Sequence, residues 1–374
     1  MKAVRSVIAL LIVIIAGCVS APTRPIEGPS AVEAPFPVPI VTLRGDATAM
    51  GAAYAQQLGD PTRQLFSDYF GKYFQNDAER NRALMAATAF APHVLPEHRA
   101  EIHALAGGAM LDEREVMLGQ CFLDLTAMTA CSTITLPASA SPDGVARFGR
   151  NLDFPSFNVA DKGTVLLIYH PQGRYAFASI AWPGMVGVLS GMNEHGLTLA
   201  NMEVDRAQRP PVAMPYTLLY RTILEQCRSV DEAIALLQKT PRQTANNLML
   251  MDATGDRAVA EITPEAVTVR RAPANQALIS TNHHRGTDLN TPARCRRFDF
   301  LHDTAAKEFG QIDQPAVQSM LGHVAQGKMT LQSMVFEPAN RVIYLAVGAN
   351  ATTHQYHRLD LKNYFRQANA ESPR

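Results

Sequence analysis

Cysteine is scarce in this chain: five residues in 374, at positions 18, 121, 131, 227 and 295, with no CxxC pair. That spacing excludes a dense disulfide scaffold and a cysteine-based zinc ribbon. No HExxH, GxSxG or GxxxxGK[ST] occurs, so zincin, α/β-hydrolase and P-loop chemistry have no signature here. Charge of one sign is missing too, since 34 Lys and Arg face 34 Asp and Glu. No basic face is evident to recruit nucleic acid, and no such partner is expected. The apolar run over 7–15 is too short to span a bilayer. There is no internal repeat, and no alternation of strand and helix that would build a doubly wound parallel sheet.

What is present begins with a leader. "MKAVRSVIALLIVIIAGC" has a short basic start, an apolar core and a small-small-Cys ending, the pattern of a secretory signal. The ending resembles the lipobox of bacterial lipoproteins, which implies cleavage after residue 17 and diacylation of Cys18. Val19 follows where an aspartate would favour inner-membrane retention. The expected location is therefore the bacterial envelope, at the outer membrane facing the periplasm, held only by the lipid. Residues 18–40 are rich in Pro, Ala and Ser and read as an extended tether.

Residues 41–130 read as a helical segment. "DATAMGAAYAQQLGDPTRQLFSDYFGKYF" has helical apolar spacing with a Gly-Asp-Pro break at 59–61, and two further amphipathic stretches follow. The pattern changes at Cys131. Strand pairs flank turns at 171–173, 193–195, 253–256 and 339–340. Helices are expected over 216–227, over "SVDEAIALLQ" with Ser229 as N-cap, over 294–309 and near 315–321. Antiparallel hairpins with helices between them argue an α+β fold with helix packed on sheet.

The chemistry turns on "MTACSTITLPASASPDGVARFGRNLDFPSF". A mid-chain thiol is mostly protonated at neutral pH and needs a base or a positive neighbour to become a nucleophile. If the chain were cut between Ala130 and Cys131, the new α-amine, with a pKa of about 7.7–8.0, could be that base. Arg150 could hold a thiolate, and Asp153 could orient the amine. Residue types alone allow equally that Cys131 is a small buried filler and that Arg150 and Asp153 are a strand-end ion pair.

"CSTI" followed by "FGRNLDF" resembles the N-terminal-nucleophile (Ntn) amide hydrolases of the choloylglycine hydrolase superfamily. Within it, the chain is most similar to the isopenicillin-N/penicillin acyltransferase-like autoproteolytic family, related to bile salt hydrolases and acid ceramidase-like amidases. "RGDATAMGAAYAQQL", "WPGMVGVLSGMNEHGL", "STNHH", "TPARCRRFDFL" and "SMVFEPANRVIYLAVG" follow in the same order as that family's segments. The resemblance implies a four-layer αββα sandwich over 131–374, preceded by a helical pro-segment. It also implies self-cleavage at Ala130–Cys131, Cys131 as nucleophile, Arg150 and Asp153 beside it, and Asn282 in the oxyanion hole. For a later site arginine the "TxxR" spacing favours Arg294, with Arg297 as competitor. Asn201 and Glu203 both stand where a substrate-contacting residue follows the "NEHGL" turn. Ala130 replaces a common glycine.

The activity implied is hydrolysis of linear amide bonds in small N-acyl compounds, or acyl transfer, with no metal and no cofactor. Trp182, the only tryptophan, is a candidate wall of the acyl pocket. His195, His283 and His284 read as turn or surface residues. Two rivals stand beside this reading: a non-catalytic envelope lipoprotein keeping the fold as a binding module, and a papain-like thiol peptidase with a Cys–His pair.

Overall fold

In a computed structural model that describes residues 36–126, 129–204, 212–286 and 294–366, the first element is β1 (Ile40–Gly45). Four helices follow: α1 (Ala47–Tyr73), α2 (Asp77–Thr88), α3 (Pro96–Ala109) and α4 (Glu113–Leu125). Acidic and amide side chains start three of them. Asp46, Asn76 and Asp112 each accept a backbone N–H of the first turn of α1, α2 and α4, satisfying donors that a helix start leaves unpaired.

The catalytic half as read from sequence begins with β2 (Ala130–Leu136), β3 (Arg147–Asp153), β4 (Val165–Pro171) and β5 (Phe177–Ala181). β6 (Ser190–Asn193) and β7 (Thr198–Glu203) lead to α5 (Tyr216–Gln226) and α6 (Val230–Lys239). Then come β8 (Asn246–Met251), β9 (Arg257–Ile262), β10 (Val267–Arg270) and β11 (Leu278–Ser280). α7 (Arg296–Lys307), α8 (Gln314–His323), β12 (Thr330–Glu337), β13 (Val342–Val347), β14 (His357–Asp360) and α9 (Lys362–Arg366) complete the described chain.

The strands form two sheets. One runs β1-β4-β5-β6-β7-β8-β9-β10 and the other β11-β2-β3-β12-β13-β14. Period-two alternation sorts their side chains into layers. Ile168, Ile180, Met202 and Met249 of the first sheet meet Phe148, Met334 and Phe336 of the second in a core between the sheets. On the outer face of the first sheet, Leu167, Leu199 and Leu250 pack with Tyr54, Ile102, Leu118 and Leu219 of the helices. Outside the second, Ile134 and Val335 pack with Leu301, Val317 and Leu321 of α7 and α8. The order helix, sheet, sheet, helix is the αββα sandwich.

Two expectations are corrected. The segment before residue 131 is not helical throughout, because β1 pairs in parallel with β4 from Ile40↔Leu166 to Gly45↔Pro171 and completes an edge of the first sheet. Residues from Phe36 onward form one compact unit. Nor does Gly-Asp-Pro at 59–61 break a helix, since α1 runs through Pro61. The Thr62 hydroxyl donates to the Leu58 carbonyl at 2.7 Å, and α1 packs along α3 with Gly51 and Gly108 at the contact. Tertiary packing thus outweighs the cost of one interior proline.

Among the described residues no helix is long and apolar enough to cross a membrane. The leader, Cys18 and the tether up to residue 35 lie outside the described residues.

Candidate active site

β2 and β3 lie side by side with Cys131 opposite Leu152 and Ala130 opposite Asp153. Cys131 is buried. Its main-chain N–H donates to Asn282 Oδ1 at 2.8 Å, and Asn282 follows directly on β11, the neighbour of β2. The Asn282 amide nitrogen donates to the carbonyls of Glu203, at 2.8 Å, and Thr129, at 3.3 Å. One side chain therefore ties together the start of β2, the end of β7 and the turn after β11.

Arg297, in the first turn of α7, donates to the Cys131 carbonyl and, at 3.0 Å, to Asn282 Oδ1. Its guanidinium also stands 3.8 Å from Asp153 Oδ2. Arg294 is exposed just before the helix. The residue that reaches the site is Arg297, not Arg294, and this corrects the choice made on "TxxR" spacing. Arg294 lies ahead of the helix, which begins at Arg296, whereas Arg297 in its first turn reaches back to β2.

Arg150 is wholly buried and points between the sheets, where it donates to the Asn201 carbonyl at 2.6 Å. Its Nε and second terminal nitrogen have no hydrogen-bond partner. Asp153 accepts from the Thr330 hydroxyl at the start of β12. Burial pushes the Asp153 carboxyl up to about 6, against the pull of Thr330, Arg297 and Arg150. Burial likewise raises the Cys131 thiol. Arg150, Arg297 and the Asp153 N–H oppose that shift, and the Asp153 charge adds to it. Among the described residues, the strongest influences on the thiol are burial, Arg150, Asp153 and Arg297, and a histidine is not one of them.

Glu203 contributes its carboxylate rather than Asn201 its amide. Glu203 Oε2 accepts the Thr129 N–H at 3.0 Å and the Thr129 hydroxyl at 2.8 Å, just before the Ala130–Cys131 bond. Asn201 serves Arg150 through its backbone, and its side-chain nitrogen has no partner. Behind them Asp124 is buried and bonded to Thr244 at 2.6 Å. Burial first, and the Glu203 charge after it, push Asp124 up to about 7.

Thr129 and Leu152 also line a cleft of about 650 Å³ counted to its open mouth. Phe66, Phe122, Phe154, Trp182 and Met185 supply much of its wall. Its polar groups are already engaged: the Trp182 indole donates to the Ala160 carbonyl at 2.7 Å, and the Tyr69 hydroxyl to that of Pro155 at 3.0 Å. The lining is thus apolar in effect, and Trp182 is part of it. His195 is half-buried in its turn against Tyr175, and His284 is buried rather than on the surface. Among the described residues no group of three or more His, Cys, Asp or Glu is arranged to hold a metal ion.

Sequence reasoning missed Thr330 and the weight of Arg297. Thr330 lies outside the quoted motifs and Arg297 takes second place within its own, and both reach the site only because β12 and α7 pack beside β3 and β2.

The chain can be placed among known proteins. It is 29% identical over 154 residues to an N-acylethanolamine-hydrolyzing acid amidase of Oryctolagus cuniculus, covering 39% of this chain and 42% of that protein. With the Rattus norvegicus protein of the same name it shares 25% over 204 residues, 52% of this chain and 51% of the other. The chain thus spans about half, or less, of the length of these curated relatives. Among solved structures, a Caenorhabditis elegans ortholog of that amidase aligns with a TM-score of 0.45 at 18% identity, over 56% of this chain and 93% of the other. A conjugated bile acid hydrolase of Clostridium perfringens aligns at 0.43 and 18%, over 62% and 93%. Residues 140–352, more than half of the chain, match the family described as acyl-coenzyme A:6-aminopenicillanic acid acyl-transferase. β3, β7, β11, α7 and β12 fall within that match, while β2 with Cys131 precedes it, and the chain belongs to this family.

Proposed function

We propose that this protein cleaves linear amides of small N-acyl compounds, or passes their acyl group to an amine, with Cys131 as an N-terminal nucleophile exposed by self-cleavage. One observation carries the reading: the Cys131 nitrogen is held by Asn282 Oδ1 at 2.8 Å, with Arg150, Arg297 and Asp153 bearing on its thiol, and its strand partner Leu152 lines an apolar cleft. The substrate class is supported by the names of the amidases to which the chain is similar.

In self-cleavage the thiol attacks the Ala130 carbonyl and the C–N bond breaks, giving a thioester and the free α-amine of Cys131; water then cleaves the thioester to the Ala130 carboxylate and the free thiol. That amine, of pKa about 7.7–8.0, occupies the position now bonded to Asn282. In turnover it takes the thiol proton as sulfur attacks the substrate carbonyl. The tetrahedral oxyanion is held by backbone N–H groups and by the Asn282 amide nitrogen, which here donates to the Thr129 and Glu203 carbonyls. The α-ammonium then protonates the leaving amine, and water or a second amine resolves the thioester. The acyl group lies in the cleft beside Trp182.

Cys18 we propose as a diacylated anchor in the envelope, on the strength of "IAGC"; intact mass of the membrane fraction tests it.

Intact-mass measurement of purified protein is expected to show two fragments divided at Ala130/Cys131, one fragment for Cys131→Ala, and turnover of N-acyl amides only by the former. A Cys131→Ala protein that still hydrolyses those amides, or full activity without the break, would sink the reading.

A further inference from the structure

The wall of the apolar cleft that carries Trp182, Pro183 and Met185 is the connection between β5 and β6. Over 184–187 it belongs to no strand, yet its backbone is buried and must find partners. Side chains supply most of them. The Tyr54 hydroxyl accepts the Gly184 N–H at 2.9 Å, and Arg221 donates to the Val186 carbonyl at 3.2 Å. Met185 donates its N–H to the Trp182 carbonyl at 3.1 Å and accepts the Tyr54 hydroxyl at 3.4 Å. Three further bonds come from Gln120, wholly buried on α4. Its Nε2 donates to the Gly184 carbonyl at 2.8 Å and to the Val116 carbonyl of its own helix at 2.8 Å. Its Oε1 accepts the Val186 N–H at 2.7 Å and the Gly187 N–H at 3.0 Å. Both donors and both lone pairs of the amide are used.

There is little slack around this clamp. Gly184 has φ of +87°, and a Cβ there would fall 2.6 Å from Phe66 Cζ; a Cβ on Gly119, the neighbour of Gln120, would fall 2.7 Å from the same atom. Phe66 is itself part of the cleft wall. The loop, Phe66 and the turn of α4 thus close on one another, and the loop cannot shift without changing the cleft.

We infer that Gln120 is a positioning residue for acyl-chain recognition: by holding 184–187 from behind, it fixes how deep and wide the cleft beside Trp182 is. This rests on the reading of that cleft as the acyl site. Gln120→Met keeps the volume but leaves two N–H groups and a carbonyl of the loop unpaired, which the loop relieves by moving toward solvent. Gln120→Glu keeps the two accepted bonds.

The test need not depend on turnover, because Trp182 is the only tryptophan in the chain and reports on the cleft directly. Titration of full-length protein with hexanoate, laurate and palmitate, followed by Trp182 emission, is expected to show affinity rising with chain length. In Gln120→Met the ratio of palmitate to hexanoate affinity should fall about tenfold, roughly the effect of one lost tight contact, and Gln120→Glu should lie between the two. Ile312→Ala, a buried residue behind the other sheet, is the control, destabilised without a change in that ratio. Emission that responds to no fatty acid overturns the inference, and so does a ratio in Gln120→Met equal to the wild-type ratio or matched by Ile312→Ala. Loss of amide hydrolysis with Cys131→Ala is read separately. The proposed activity can thus stand while the Gln120 inference falls, or the reverse.

Discussion

At the scale of single residues, the site is a set of shared donors and acceptors rather than a list of reactive groups. Arg297 bridges Cys131 and Asn282, whereas Arg294 is exposed. Arg297→Ala should lower kcat/KM for an N-acyl amide on the order of 10²-fold, comparable to losing an oxyanion-hole donor, and Arg294→Ala should change it by no more than about twofold, as for an ordinary surface substitution. Steady-state kinetics of the two variants decide the assignment. Asp153 sets a second expectation. Its charge adds to the raised pKa of the Cys131 thiol, and its own carboxyl titrates at about 6. In Asp153→Asn the thiol should be alkylated by iodoacetamide faster at neutral pH. The break near pH 6 in the wild-type rate profile should disappear. An unchanged profile would remove Asp153 from the thiol's surroundings.

At the scale of elements, close backbone approach packs the helical segment on itself and buried charge binds it to the rest. On α1, a Cβ at Gly51 would lie 2.4 Å from the Glu101 carbonyl oxygen of α3. Gly51→Ala should therefore cost about 1–3 kcal/mol of stability, the usual range for overpacking, read from denaturant unfolding. One helix over, Arg221 of α5 pairs with Glu101 of α3 at 2.6 Å and with Glu225 at 2.8 Å, and His98 of α3 reaches Glu225 at 3.1 Å. Removing the cation leaves two buried carboxylates, so Arg221→Ala should destabilise by about 3–5 kcal/mol. Hydrophobic alternation made most of the strands legible, and Ser229 does cap α6, accepting the Glu232 N–H. It could not reveal that β1 pairs with β4, nor that β10 and β11, consecutive in sequence, join different sheets. Those pairings depend on partners more than a hundred residues away or on the path of a turn.

For the whole molecule, buried titratable groups set how stability changes with pH. Burial alone would raise the Glu225 pKa, but Arg221 and His98 bring it down to about 2 from 4.5. That stabilisation is complete above pH 4.5 and is lost as pH falls below it. Asp153 and Asp124 act oppositely, since burial lifts them from 3.8 to about 6 and about 7. Their folded forms hold protons that the unfolded chain releases, so stability declines as pH rises from 3.8 through those values. His170 works the other way, since burial lowers it from 6.5 to about 4 and favours the folded state as pH rises through that range. In thermal scans Asp124→Asn should therefore lose less Tm than the wild type between about pH 4 and 7, and equal slopes would contradict the burial of Asp124.

Read alone, the residues pointed to an α+β class and to hairpins after residue 131, and the resemblance carried by "CSTI", "FGRNLDF" and "STNHH" grouped Cys131, Arg150, Asp153 and Asn282. Side-chain periodicity and short motifs are local properties. Only the tertiary structure decided between Arg297 and Arg294, gave Glu203 its bond to Thr129, and set Gln120 against the loop at 184–187. Each of these depends on where the first turn of a helix points or on which backbone groups a loop leaves unpaired. Such geometry exists only once two sheets and their covering helices have packed.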